Sequence, residues 1–193
     1  MASTDRQRAR VYLCEQVFDT LWGYHHPDRP QVTERLEWPA LVAYCEALYA
    51  DALARPYRHQ RRRVRERRRL AIVKAPPSAT TSSAWWGRER IAFHAKQYTV
   101  KTAIHEVAHL LAGSDHDAAH GWRFASVLRQ LLGRQLHPEA EGLMKVIYTW
   151  FDVRDRRADM WDDGVARYRF PVVGVGEAVV VGNGGMGETG SSP

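Results

Sequence analysis

Cysteine is scarce in this chain. Cys14 and Cys45 are the only two in 193 residues, they form no CxxC pair, and both stand among apolar neighbours. A disulfide framework is therefore excluded, and two buried free thiols are expected. Long apolar runs are missing too. No stretch approaches the roughly 18 uncharged apolar residues needed to span a bilayer, so no membrane partner is expected. The opening MASTDRQRARVYLCEQVF lacks the apolar run of a secretory signal peptide, and a cytoplasmic location is expected. No internal repeat is visible. Glycine is thin until the end, where seven of the fourteen fall in the last 23 residues.

What is present describes one globular unit. Hydrophobic residues make up 45% of the chain, enough for a real core and too many for wholesale disorder. We expect a single domain over residues 1–170 and a Gly-rich, flexible tail over 171–193. The net charge of +6 is unevenly spread. Between Arg55 and Lys74 stand ten basic residues and one acid, Glu66, so this segment alone carries +9 and the rest of the chain −3. Such a patch suits nucleic-acid phosphates or another acidic surface, or it is a solvated basic element.

Apolar spacing predicts the elements. Val11, Cys14, Val17, Phe18 and Leu21 predict a helix from about Asp5 to Trp22. A second helix is expected from Trp38-Pro39 to just before Pro56, through Leu41, Tyr44, Cys45, Leu48 and Ala52. LAIVKAP reads as a short strand, and WWGRERIAFHA as a strand or hairpin edge. Val100, Ala103, Ile104, Val107, Ala108 and Leu111 then mark an amphipathic helix that Gly113 is placed to end. Phe124, Val127, Leu128 and Leu131 predict another, ended by Gly133. Pro138 opens a last one, with Leu143, Val146, Ile147 and Trp150 on one face.

The helix from Val100 carries HEVAH, His105 to His109. Four residues make slightly more than one turn, so both imidazoles leave one side and can meet one metal ion. Neutral imidazole is a good ligand for Zn²⁺, and Glu106 between them can serve as general base toward a zinc-activated water. A catalytic zinc ordinarily has a third protein ligand. The candidates are Asp115, His116, Asp117 and His120, with Glu139 or Glu141 further on. His120 is preferred. If Asp117 caps the next helix, His120 lies in its first turn, on the stripe with Phe124 and Leu128, where a polar ring needs a partner. A core histidine bonded to a backbone carbonyl is the competing account. Glu139 and Glu141 would instead favour their helix dipole. Trp85 and Trp86 could line a cleft or stack on bases, and His137 or Tyr148 could assist an oxyanion, on residue type alone.

HEVAHLLAGSDHDAAHGWRF resembles the HExxH…HGxxF pattern of SprT-like zinc peptidases, and small metallohydrolases of actinobacteria and their phages. The resemblance implies His105, His109 and His120 as zinc ligands and Glu106 as base, with Gly121 and Phe124 completing the pattern. The His109-to-His120 gap is short for that family, and a zinc ribbon is impossible without paired cysteines. The metzincin spacing fits less well, because Gly113 and His116 each come one place late. The expectation is an α+β, zincin-like domain. A small mixed sheet from roughly residues 68–96 would pack on the HExxH helix, with helices on either side. Its expected activity is Zn²⁺-dependent hydrolysis of a protein or peptide substrate. The alternative is a nucleic-acid-binding or regulatory protein with a structural or vestigial zinc. Oligomeric state is left open.

Overall fold

The computed structural model describes residues 5, 7–29, 31–54, 69–113 and 119–155. Most of the arginine run, the loop with Asp115, His116 and Asp117, and the Gly-rich tail lie outside these described residues.

Among the described residues, five α-helices and a three-stranded sheet make an α+β fold. Helix α1 spans Arg8–His25 and α2 spans Trp38–Ala54. Strands β1 (Ala71–Lys74), β2 (Ser83–Trp85) and β3 (Arg90–Phe93) follow. Then come α3 (Val100–Ala112), α4 (Trp122–Gln135) and α5 (Pro138–Trp150). The strand order is β1-β3-β2, parallel between β1 and β3 and antiparallel between β2 and β3. Ile91 is central, paired with Ile72 on one side and Ala84 on the other. Its β-branched side chain suits a pleated surface packed against a core, and it is fully buried.

Helix α3 lies at the middle, against α2, α4 and β2. Its apolar stripe explains this, since every residue from Ala103 to Ala108 is buried. Its ends are well closed. The Thr99 side chain caps the first turn through the Thr102 N–H at 3.2 Å, and Gly113 leaves the helix at φ +70°, where a Cβ would be strained. The free N–H groups of Val100 and Lys101 bond to the Glu34 and Val32 carbonyls, so the 32–36 segment satisfies donors the helix cannot. Cys14 and Cys45 are buried free thiols, as expected, and burial raises them to about 11 and about 12.

Three expectations are corrected. Gly133 does not end α4, which continues to Gln135. A Cβ at Gly133 would stand 2.6 Å from the Glu141 Cβ, so glycine is there to let α4 and α5 approach. On α5 the buried face is Ala140, Met144, Ile147 and Tyr148, whereas Val146 and Trp150 are exposed. And α1 begins at Arg8, which leaves Asp5 ahead of it.

Gly133→Ala adds about 1 kcal/mol of helix propensity, but overpacking against Glu141 costs about 1–3 kcal/mol. Gly142, with open space around its missing Cβ, gains propensity without the clash. Thermal unfolding of the two variants is expected to show Gly133→Ala below wild type and Gly142→Ala at or above it. The reverse order would contradict the α4–α5 contact.

Candidate metal centre

The helical spacing brings His105 and His109 together as it must. Their Nε2 atoms are 3.2 Å apart. Two ligand bonds of 2.0–2.1 Å at a tetrahedral angle would hold them about 3.3 Å apart. His120 joins them. It does not lie in the first turn of α4 as expected, but just before the N-cap residue Gly121. One ligand atom from each of the three rings lies within 4.8 Å of the others. Phe124, four residues after His120 and in the first turn of the next helix, packs against all three, with ring centroids 4.2–4.9 Å away.

The outward nitrogens are all engaged. Glu15 Oε1 meets His105 Nδ1 at 2.6 Å. Asp5 Oδ2 meets His120 Nδ1 at 2.6 Å. The His109 ring hydrogen-bonds the Ala119 backbone. Carboxylates and carbonyls behind ligating histidines fix the tautomer and aim the other nitrogen inward. Inward, His120 Nε2 is buried without a partner, as is Glu106 Oε2. Buried polar atoms ordinarily find partners, so these orphaned atoms mark where one is needed. Three imidazole nitrogens and an adjacent carboxylate are a donor set that fits Zn²⁺.

Electrostatics agree with that role at His109, His120 and Glu106, and oppose it at His105. Burial, with the neighbouring His105 and His120, pulls His109 down to about 2, so its nitrogen stays free of a proton. Burial also lowers His120, against the pull of Asp5. For His105 burial is outweighed by the charge and hydrogen bond of Glu15, and the balance is upward. Burial lifts the Glu106 carboxyl to about 7, helped by Glu15 and opposed by His105. A carboxyl near neutrality is suited to taking up and giving back a proton.

The site opens on one side. A cleft of about 410 Å³ is lined by Glu106 and His105, by Arg8 and Tyr12 of α1, and by Thr81 and Ser82 just ahead of β2. The Tyr12 ring stacks on His105 at 5.5 Å and leans on His120 at 5.1 Å.

Other candidates fall elsewhere. Glu139 pairs with Arg29 and His26, and Glu141 with Arg129. His137 caps α5 through the Glu139 N–H, and Tyr148 is fully buried. Trp86 packs on the core and Trp85 faces Arg90, so neither lines the cleft. Asp115, His116 and Asp117 are outside the described residues. Sequence reasoning missed Glu15, Asp5 and Tyr12. Glu15 alone left a trace, as an acid between Val11 and Phe18 on the buried face of α1. Comparison with protein-family models, curated proteins and solved structures finds no match to this chain.

Metal analysis of the purified chain is expected to find one zinc per molecule. Ala at 105, 109 or 120 is expected to abolish stoichiometric binding, and Glu139→Gln to leave it intact. Full zinc in His120→Ala would remove His120 from the ligand set.

Proposed function

We propose that this chain is a zinc-dependent peptidase of the SprT-like kind, with His105, His109 and His120 holding the metal and Glu106 acting as general base. The observation that carries the reading is the convergence of three imidazoles, two buried and one half-buried, beside an orphaned buried carboxylate. When bound, Zn²⁺ makes water a nucleophile near neutral pH and polarises a carbonyl. Glu106 lines the cleft, where it would take the proton of the attacking water and return it to the leaving amine. Glu15, Asp5 and the Ala119 backbone keep the three rings in one tautomer while this happens.

A peptide substrate is favoured by the strand beside the cleft. Among the described residues β2 pairs only with β3, so its other edge is free to take an extended chain by strand addition. Nucleic-acid contact through Arg55–Lys74 remains a second proposal, motivated by charge.

Glu106→Gln separates these readings. Zinc content is expected to stay at the wild-type level, while hydrolysis of an unfolded protein substrate falls by about 10²–10⁴-fold. Undiminished hydrolysis in this variant would overturn the assignment of Glu106. Wild-type chain that cleaves nothing but binds DNA in a salt-dependent way would favour the second reading.

A further inference from the structure

His105 and His109 are held by the helix that carries them, but His120 is not. It follows the end of α3 and precedes α4, so no helical hydrogen bonding fixes its backbone. Two residues from the start of the chain do so instead. Asp5 Oδ2 accepts from the His120 backbone N–H at 3.2 Å and from the ring Nδ1 at 2.6 Å. Gln7 Nε2 donates to the His120 carbonyl at 3.3 Å. The Gln7 Oε1 in turn accepts from the Arg154 N–H at 2.7 Å, which ties the same segment to the chain leaving α5. Both backbone polar groups of His120 and one ring nitrogen are thus bonded to Asp5 or Gln7. The remaining atom, Nε2, is the buried one without a partner.

We propose that Asp5, assisted by Gln7, is the positioning residue that makes His120 a metal ligand. The inference rests on the metal-centre reading and adds to it. Affinity at this site is set by a carboxylate 115 residues away from the ligand it aims. The Asp5 side chain is largely buried, so its charge is poorly screened, and it selects the tautomer that leaves Nε2 bare. Loss of such a partner typically costs 10–100-fold in metal affinity. Asn at position 5 can still accept from Nδ1–H but carries no charge, so its effect is expected to be smaller than that of Ala.

The test uses full-length wild type, Asp5→Asn, Asp5→Ala and Gln7→Ala. Zinc affinity is measured by chelator competition, the visible spectrum of the Co²⁺-loaded protein is recorded, and unfolding of the metal-free chain is followed in parallel. Asp5→Ala is expected to bind zinc about 10–100-fold more weakly and to show an altered Co²⁺ spectrum, with Asp5→Asn between it and wild type. A merely structural role would lower the unfolding midpoint and leave the Co²⁺ spectrum as in wild type, and that result overturns the proposal. Should Asp5→Ala fail to fold, Asp5→Asn decides, because it preserves shape. Affinity and Co²⁺ spectrum indistinguishable from wild type in that variant, or Asp5→Ala within about threefold of wild type where it folds, is also a refutation. Wild type that takes neither metal overturns the metal centre, and the positioning role with it.

Discussion

Three imidazoles crowded around one point in the interior cannot all be protonated. Each added charge would face the others where water is scarce, and burial already pulls His109 and His120 downward. Their outer nitrogens are committed to Glu15, the Ala119 backbone and Asp5. What remains is a set of lone pairs aimed at one place. The rest of the structure is arranged so that this can persist. Helix α3 is packed on three sides, Phe124 packs against the three rings, and α1 and the segment just ahead of it supply the two carboxylates.

That arrangement divides the labour between short-range and long-range contacts. The pair His105–His109 follows from helical pitch alone, since residues four apart share a face. The third ring arrives from beyond the end of α3, and the orienting carboxylates cross 90 and 115 positions of sequence to reach their partners. The site therefore exists only when α1, which packs on α5, is docked so that Glu15 and the Asp5 ahead of it reach their histidines. A ligand that bound here would stabilise that docking by mass action, which couples metal occupancy to the integrity of the fold.

Local patterns were legible, and contacts between distant segments were not. The stripe from Val100 to Leu111 is one local period, and it places HEVAH on a buried helix face without any tertiary information. His120 was readable as a polar ring beside the Phe124–Leu128 stripe, although the helix begins two residues after it. Gly133 was read as a stop because glycine often ends helices, yet here the missing Cβ serves helix packing. On α5, Val146 and Trp150 fit an apolar face by type, but the face that meets α4 and α1 lies around Met144 and Ile147. Asp5 carried no local mark at all, since an acid ahead of a helix is ordinary on any surface.

The central claim is that three imidazoles of one chain bind one zinc ion, and X-ray absorption of the zinc-loaded protein tests it most directly. The account predicts three imidazole ligands at about 2.0–2.1 Å, recognisable by ring scattering, with one further light-atom ligand and no sulfur. A first shell with fewer than three imidazoles, or one containing sulfur, would contradict it.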